Sequence, residues 1–337
     1  MFKGILVGLG GRGLHWANET ARHENCELVA WVEPDDANCR RAVATARVPP
    51  DRIFSTLTDA LKDVEADFVL DVTPPSVHHE IAREAFDAGL HLLGEKPLSD
   101  DLGTARKVAE AGTKAGVTHM VAQNYRFDNC ARTLRQVLAE GIIGTPGQCD
   151  VQFYKAWADL AGSHYVTQPF MLINDMMVHH FDLMRYVLGE DPLAVQAITW
   201  NHPWGWHQGD AAHAIVFEFA NNVRATHVSV GCSVGETRRD YFGDWRVDGA
   251  AGSLSWSEGR IWKAHLHRTA EPVRREVFAK PVPQQAQGIL GEFFAAIAED
   301  RDPECSAVDN LKSLAMVFGA IRSAKEQRRV ELAELES

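Results

Sequence analysis

Short apolar runs alternate with amphipathic stretches over the first third of the chain. The runs Phe2–Val7, Glu27–Val32 and Asp67–Val72 are rich in aliphatic residues, which is typical of buried strands. Between such runs, apolar residues recur every three or four positions, which predicts helices such as Asp36–Ala46 and Asp101–Ala115. Strands separated by helices predict a doubly wound parallel sheet covered on both faces.

The pattern changes after about residue 122. A predicted helix over Ile173–Leu188 is followed by alternating apolar and polar runs with no helix between them, such as Ala214–Phe219 and Ile261–Leu266. Period-two alternation predicts a large, mostly antiparallel open sheet with one face on helices. We therefore predict an α/β domain over 1–122 and an α+β domain over 123–337, whose C-terminal helices can pack back on the first domain.

Composition and charge narrow the function classes. A length of 337 residues suggests two domains, and a net charge of −12 argues against nucleic acid, which binds clustered Lys and Arg. No stretch approaches the ~20 apolar residues of a membrane span, so we expect no membrane contact. The six cysteines lie far apart without a C-x-x-C pair, which favours a reduced, cytoplasmic setting and no metal site.

A glycine-rich turn follows the first predicted strand. Gly8, Gly10 and Gly13 have the G-x-G-x-x-G spacing, in which the first allows the tight turn and the second lets the backbone approach a pyrophosphate. The third packs the following helix close to the strand. The helix start at Gly11 offers free N–H groups to the phosphates, and the side chain of Arg12 either adds a charge there or points to solvent. This turn predicts a bound dinucleotide.

An acidic residue stands where the cofactor ribose is expected. Glu33 ends the second predicted strand, 20 residues beyond Gly13. A carboxylate there accepts hydrogen bonds from the ribose hydroxyls and repels a 2′-phosphate, which favours NAD over NADP. Two alternatives stay open: Glu33 is a solvated loop residue, or Arg40 and Arg41 serve a 2′-phosphate.

Three further segments carry candidate chemistry in a fixed order: Val72–His78 (VTPPSVH), Ala88–Pro97 (AGLHLLGEKP) and Asp175–Asp182 (DMMVHHFD). They are similar to the T-P-x-x-x-H, A-G-x-H-V-x-x-E-K-P and D-x-G-x-H-x-x-D motifs of the Gfo/Idh/MocA oxidoreductases, the family of glucose–fructose oxidoreductase and inositol dehydrogenase. With the glycine turn, these motifs extend the resemblance over nearly the whole chain. One departure is Met177, which replaces a family glycine and adds bulk beside the expected substrate position.

The resemblance implies a Rossmann domain followed by a domain with a large open sheet, with the active site between them. By position, Lys96, Asp175 and His179 match the family's catalytic residues. Thr73, Pro74 and His78 are carried over as nicotinamide-side contacts, although His78 could equally be a packing residue at a helix start. The full set assigned to the cofactor is Gly8, Gly10, Gly11, Arg12, Gly13, Glu33, Thr73, Pro74, His78, Glu95, Lys96 and Gln123.

These residue types suit hydride chemistry on a secondary alcohol. Asp175 and His179 are four residues apart on a predicted helix and share one face, and histidine is suited to take the hydroxyl proton. The ammonium of Lys96 can orient the alcohol oxygen and stabilise alkoxide charge. The alternatives are a helix-surface pair and an exposed turn lysine. The His-His pairs at 78–79 and 179–180 each supply one metal ligand at most, because adjacent helical side chains diverge.

We predict an NAD(P)-dependent oxidoreductase of a sugar, inositol or related polyol. Arg126, Tyr154 and Trp157 are assigned to the substrate with Asp175 and His179, because aromatic faces and polar groups together suit sugars. Packing or a subunit interface remains the alternative for Trp157. The competing functions are an NAD-dependent glycoside hydrolase or lyase with transient redox chemistry, and a non-catalytic NAD sensor. We expect a homodimer or homotetramer.

Overall fold

The computed structural model describes residues 1–235, 240–265, 273–278 and 281–335. Its strands are β1 (Phe2–Val7), β2 (Cys26–Val32), β3 (Ile53–Phe54), β4 (Phe68–Asp71), β5 (His91–Gly94), β6 (His119–Val121), β7 (Pro146–Tyr154), β8 (Ala194–Trp200), β9 (Ala212–Glu218), β10 (Arg224–Val230), β11 (Asp244–Gly249), β12 (Gly252–Ser257), β13 (Arg260–His265), β14 (Val273–Val277) and β15 (Val330–Glu331). Its α-helices are α1 (Gly11–Thr20), α2 (Asp36–Ala46), α3 (Leu57–Asp63), α4 (His78–Asp87), α5 (Leu102–Ala115), α6 (Asn129–Ala139), α7 (Met177–Leu188), α8 (Gln285–Glu299) and α9 (Ala307–Glu326).

The chain divides into two compact units. The first unit comprises Met1–Phe127 and Pro283–Leu311, and the second comprises Asp128–Val282 and Lys312–Ser337. The first unit therefore reaches five residues beyond the boundary predicted at 122, and it includes a C-terminal segment.

Parallel strands form the sheet of the first unit, in the order β3-β2-β1-β4-β5-β6. All four residues of β4 and the last four of β1 are buried, as expected of central strands covered on both faces. The chain leaves β1 toward β2 on one side and reaches β4 on the other. This reversal of strand order opens a crevice at the carboxyl ends of β1 and β4.

Side-chain caps start several helices of the first unit. The carboxylate of Asp35 accepts from the N–H of Asn38 at the start of α2. Asp101 accepts from Gly103 and Thr104 at the start of α5. Such caps satisfy N–H groups that have no partner inside the helix, so they fix where each helix begins.

Aromatic packing joins α8 to the sheet of the first unit. The Phe294 ring stacks on Phe2 at 5.0 Å and meets Phe68 edge-on at 5.3 Å. Phe293 lies 5.6 Å from the same Phe68 ring and is fully buried. Because these rings complete the core beside β1 and β4, residues 283–311 belong to the first unit although they lie between the two segments of the second unit in sequence.

A nine-stranded sheet organises the second unit, in the order β14-β13-β12-β11-β7-β10-β9-β8-β15. Strands β7 and β10 pair in parallel, and every other neighbouring pair of this sheet is antiparallel. Burial alternates along β9, where Ile215 and Phe217 are buried while Val216 is 39% exposed. On the buried face, Phe217 meets Phe181 of α7 edge-on at 4.8 Å. The predicted α/β fold with a second, mostly antiparallel sheet is thus confirmed.

The elements differ from the prediction at a few places. The short strand β3 was not predicted, because two residues are too few to show a period. The helix α3 was not predicted either. The predicted helix over Ile173–Leu188 begins as a π-helix, Leu172–Met176, before α7. Leu266, the last residue of one predicted strand, lies outside the described residues.

Candidate active site

The glycine turn has the geometry that its spacing predicts. Gly8 has φ 94°, and a Cβ there would lie 2.8 Å from the carbonyl oxygen of Val72, so a larger residue would strain the turn. A Cβ on Gly13 would lie 2.0 Å from the carbonyl oxygen of Gly8, which explains how α1 packs so close to β1. Gly10 and Gly11 have open space within 4 Å of the same position. Their backbone is therefore open to a ligand at the start of α1.

A cleft of about 720 Å³ lies over this turn within the first unit. It is bounded by residues that follow β1, β2 and β4, as expected for a doubly wound sheet. The predicted cofactor residues that line it are Gly8, Gly10, Gly11, Arg12, Gly13, Glu33, Thr73 and Pro74. The structure adds Asn38, Ser55 and Thr56, which sequence patterns did not single out.

Glu33 is a buried acceptor beside the glycine turn, 8% exposed. Its Oε2 accepts from the N–H of Leu9 at 2.8 Å, and its Oε1 accepts from the N–H of Asp35 at 3.0 Å. The carboxylate therefore braces the turn against the end of β2. Each carboxylate oxygen has a second lone pair, which leaves acceptor capacity for hydroxyl groups in the cleft.

Arg12 pairs with the carboxylate of Glu95. The sequence alone leaves open whether the Arg12 side chain adds a charge at the phosphate site or points to solvent. Its Nε lies 2.5 Å from Oε1 of Glu95, and the indole N–H of Trp16 donates to the same oxygen at 2.7 Å. Glu95 is 6% exposed and fixes α1 against the loop that follows β5. The Arg12 side chain nevertheless keeps 48% of its surface exposed and borders the cleft.

Lys96 and His78 belong to neighbouring loops at the carboxyl edge of the same sheet. Lys96 is half-buried after β5, and its backbone N–H donates to Oε2 of Glu95 at 3.2 Å. His78 opens α4 after β4 and is 5% exposed. It is not among the residues that line the cleft, and both of its ring nitrogens bond to backbone carbonyls of the first unit.

Gln123 carries an amide that suits a bound carboxamide or hydroxyl. It follows β6 and is 1% exposed. Among the described residues, neither its Oε1 nor its Nε2 has a hydrogen-bond partner. Burying an amide without partners is costly, so an unsatisfied amide at the carboxyl edge of this sheet is evidence that a polar ligand binds there. The residues present therefore fit a dinucleotide.

Arg126 is committed to the packing of the first unit. It is 5% exposed, and its guanidinium donates to Asp309 at 2.8 Å and to the carbonyl oxygen of Glu304 at 2.9 Å. The sequence predicts this residue as a substrate contact. The buried guanidinium already has two protein acceptors, which favours a packing role instead.

Asp175 and His179 lie at a junction between two helix types in the second unit. Asp175 is in the π-helix and His179 is in the first turns of α7, where it is 7% exposed. Single π-turns inside helices occur frequently at functional sites, because the extra residue re-aims the side chains around it. Met177 between them is fully buried.

Tyr165 is a partner of Asp175 that sequence patterns did not reveal. Its hydroxyl bonds to the Asp175 carboxylate, and burial together with that negative charge raises the pKa of Tyr165. Tyr165 lies in a 3₁₀ turn, His164–Thr167, where no periodicity or motif distinguishes it. The turn thus supplies a hydrogen-bond donor to a predicted catalytic carboxylate.

Aromatic residues gather where β7 ends. The Trp157 ring stacks on Tyr241 at 6.4 Å and meets Phe153 edge-on at 5.8 Å. The Nζ of Lys155 lies 4.2 Å above the Tyr241 ring, and burial lowers the pKa of this lysine. Tyr154 points to the other face of the strand and is 41% exposed. Of the two predicted aromatic substrate residues, Trp157 alone belongs to this cluster.

Three buried histidines, which we call the histidine chain, tie α7 to the second sheet: His180, His227 and His213. Nε2 of His180 lies 2.8 Å from the Tyr241 carbonyl oxygen, and its Nδ1 lies 2.9 Å from Nε2 of His227. Nδ1 of His227 lies 3.0 Å from Nε2 of His213. A carbonyl only accepts, so neutral rings donate in one direction along the chain. Burial lowers the pKa of His180 to about 4 and that of His213 to about 3.

The parallel sheet, glycine turn, buried acid and cleft define the first unit as a Rossmann-type dinucleotide-binding domain. Sequence comparison agrees. The family described as "Oxidoreductase family, NAD-binding Rossmann fold" matches residues 2–123, and the one described as "GFO/IDH/MocA C-terminal domain" matches residues 131–255.

Individual proteins are similar to this chain over two thirds of its length or more. The chain is 28% identical to D-apiose dehydrogenase from Paraburkholderia graminis, covering 100% of this chain and 91% of that protein. It is 30% identical to inositol 2-dehydrogenase 4 from Saccharopolyspora erythraea, covering 68% of each. The solved structure of an oxidoreductase from Agrobacterium radiobacter, in complex with NAD+, L-tartaric acid and magnesium, aligns with a TM-score of 0.87 at 19% identity, over 99% of both chains.

The chain belongs to the Gfo/Idh/MocA oxidoreductase family, which confirms the resemblance found in its motifs. It is an NAD-binding oxidoreductase with sugar and inositol dehydrogenases among its relatives. Among the described residues, no helix combines the length and the apolar character that a membrane span requires.

Proposed function

We propose that this protein is an NAD-dependent dehydrogenase that oxidises a secondary hydroxyl group of a sugar, an inositol or a related polyol. The observation that carries the proposal is the cleft in which open glycine backbone at the start of α1 and the buried Glu33 carboxylate face one space. The names of the relatives support the substrate class, since apiose and inositol are both polyhydroxylated compounds.

The preference for NAD over NADP rests on Glu33. Its carboxylate lines the cleft and holds a negative charge where a 2′-phosphate would add another. Arg40 and Arg41, the predicted alternative for a 2′-phosphate, are not among the residues that line the cleft. A basic site for the 2′-phosphate is therefore less well supported than hydrogen bonding to ribose hydroxyls.

The remaining chemistry is assigned to three side chains. Bound NAD+ supplies the hydride acceptor. His179 takes the hydroxyl proton, because histidine exchanges protons near neutral pH. Lys96 donates to the substrate oxygen and stabilises its developing negative charge. Asp175, held by the Tyr165 hydroxyl, orients the substrate or the imidazole.

The substrate-binding surface is assigned to the aromatic cluster at the end of β7. Trp157 and Tyr241 present ring faces that suit the C–H faces of a sugar ring. Lys155 is buried beneath this surface, and its Nζ donates to the Asp240 carbonyl oxygen at 2.7 Å beside the Tyr241 ring. Tyr154 lies on the other face of β7, so we assign it only a peripheral contact with the substrate.

A screen of sugars and inositols with NAD+, followed by absorbance of the reduced cofactor, tests the function. The proposal predicts NADH formation with at least one compound. Replacing Lys96 or His179 by Ala should abolish this turnover while NAD+ affinity measured by calorimetry stays within a few-fold of wild type. Absence of both turnover and NAD+ binding would refute the proposal. Glycoside cleavage without net cofactor reduction would favour the NAD-dependent hydrolase alternative instead.

We also propose a cytoplasmic homodimer or homotetramer that assembles through the outward face of the second sheet. Ile198 on β8 is 63% exposed, and Val216 on the adjacent β9 is 39% exposed. Apolar side chains on neighbouring strands suit a self-complementary contact. Light scattering should give a mass of two or four chains, and Ile198→Glu should lower it. A monomer at micromolar concentration would contradict this assembly.

A further inference from the structure

The ring of His78 lies between two backbone carbonyls of the first unit. Its Nε2 lies 2.8 Å from the carbonyl oxygen of Thr73, and its Nδ1 lies 3.0 Å from that of Pro97. Both distances are those of ordinary hydrogen bonds. Thr73 follows β4 and Pro97 follows β5, so one ring joins the loops after two adjacent parallel strands.

The two acceptors determine the protonation of the ring. A carbonyl oxygen carries no hydrogen, so each ring nitrogen that bonds to one must itself carry a proton. A neutral imidazole has a single N–H and would leave a nitrogen lone pair facing an oxygen lone pair. We propose that His78 is a positively charged positioning residue that clamps these two loops together and thereby fixes the backbone that directly follows the candidate catalytic Lys96. The catalytic part of this inference rests on the proposed function, whereas the protonation state does not.

Two buried acidic residues, Asp71 and Glu95, belong to the same strand ends as the loops that His78 joins. Asp71, at the end of β4, is 1% exposed, and its Oδ1 accepts from the hydroxyl and the N–H of Thr73 at 2.6 and 3.0 Å. The pKa of Asp71 is raised, because burial outweighs the opposing effect of the His78 charge. Glu95, after β5, is the second buried carboxylate and is itself paired with Arg12 of α1. A cation at His78 is therefore favoured by the acidic side chain of Asp71, with which it interacts electrostatically.

The other histidine beside this cluster stays neutral. His119, on β6, is 6% exposed. Burial lowers the pKa of His119 to about 3, and the nearby His78 charge acts in the same direction. His78 is thus coupled by charge to the acidic Asp71 of β4 and to the neutral His119 of β6, while Glu95 after β5 is paired with Arg12 of α1. This arrangement favours the doubly protonated form of His78.

The clamp acts on residues that face the cofactor. Thr73 and Pro74 line the cleft, so holding the Thr73 carbonyl fixes one side of it. Pro97 directly follows Lys96, so holding its carbonyl limits the positions that the lysine backbone can take. Loss of one proton from the ring would release one of the two loops. The expected outcome is a misplaced Lys96 rather than a lost cofactor.

The protonation state can be tested without substrate. In full-length protein labelled with ¹⁵N in its histidine rings, two-bond correlation spectra distinguish a doubly protonated ring from either neutral tautomer. His78→Gln identifies the His78 signals, and His79→Gln, at an exposed position on the same helix, serves as the matched control. The proposal predicts two protonated nitrogens for His78 at pH 7. A neutral His78 ring at that pH overturns it, whether or not the protein proves to be a dehydrogenase.

The positioning role is tested with a compound found in the NAD+ screen. Loss of a hydrogen bond from a charged donor predicts that His78→Gln lowers kcat about ten- to a hundred-fold. NAD+ affinity and the kcat of His79→Gln should stay within about two-fold of wild type. The pH profile of kcat should differ between the two proteins, because His78→Gln lacks the ionisable ring of the clamp. Equal pH profiles in wild type and His78→Gln overturn the positioning role.

Discussion

Replacing Glu33 tests how the cleft recognises its cofactor. Glu33→Ala removes the acceptor of the buried Leu9 N–H, bonded at 2.8 Å, and of the half-buried Asp35 N–H, bonded at 3.0 Å. A buried donor left without a partner costs about 1–3 kcal/mol, whereas water can replace the partner of the more accessible N–H. We therefore expect the free energy of unfolding to fall by about 1–3 kcal/mol.

Glu33→Ala should also change the affinities for NAD+ and NADP+, by different amounts. Loss of one or two hydrogen bonds from ribose hydroxyls to a carboxylate, at about 1.5–3 kcal/mol each, should weaken NAD+ about ten-fold or more. NADP+ should lose little, because the charge that repels its 2′-phosphate disappears with the same substitution. The dissociation constant of NADP+ divided by that of NAD+ should therefore fall by at least about ten-fold.

Calorimetric titration of both cofactors, with denaturant unfolding in parallel, measures these quantities. Glu33→Gln keeps one acceptor oxygen without the charge, so it should retain more stability than Glu33→Ala while discriminating NADP+ equally poorly. Asp36→Ala removes the same charge from an exposed position on α2 and serves as the control. An unchanged NAD+ affinity in Glu33→Ala, or an equal loss for both cofactors, would refute the reasoning.

Three further substitutions probe the rest of the structure. Arg126→Ala breaks a buried ion pair and should lower the free energy of unfolding by about 3 kcal/mol, measured by urea unfolding. This loss together with a normal NAD+ affinity would support the packing role over a substrate role. Tyr165→Phe removes a donor to Asp175 and should lower kcat about ten-fold, whereas Tyr154→Phe should not; equal rates in both variants would contradict the role of Tyr165. The histidine chain is neutral when folded, so the unfolded state binds more protons below pH ~6.5 and stability falls as the solution is acidified. Between pH 7 and pH 5.5 the free energy of unfolding should fall by up to about 4 kcal/mol, and by less in His213→Gln. A free energy of unfolding that does not change with pH would contradict the neutral state of the histidine chain.

Much of the first unit was predictable because its signals are local. The glycine spacing follows from close approaches within one strand–turn–helix, and Asp36–Ala46 was predicted with its observed bounds because Asp35 caps it. The resemblance of the four motifs gave the family and the fold of both units. Glu33 lies in the cleft as its position twenty residues after Gly13 predicts.

What the sequence did not reveal depends on contacts between distant segments. Arg12 could not be assigned to Glu95 without the fold, since 83 residues separate them. The parallel pairing of β7 with β10 and the contact of Tyr165 with Asp175 likewise arise from tertiary packing, which leaves no period in the sequence. The pair of Arg126 with Asp309 is of the same kind, because 183 residues separate the two and no sequence feature distinguishes such a pair from a ligand contact.

Isotope transfer tests the central claim of hydride chemistry most directly. A compound that supports NADH formation is prepared with deuterium on the carbon that bears the reacting hydroxyl, and the reduced cofactor is analysed by mass spectrometry. Direct hydride transfer predicts NADH one mass unit heavier, formed by the wild type and not by Lys96→Ala or His179→Ala. Deuterium that appears in water, or remains on the carbon while product forms, would contradict it.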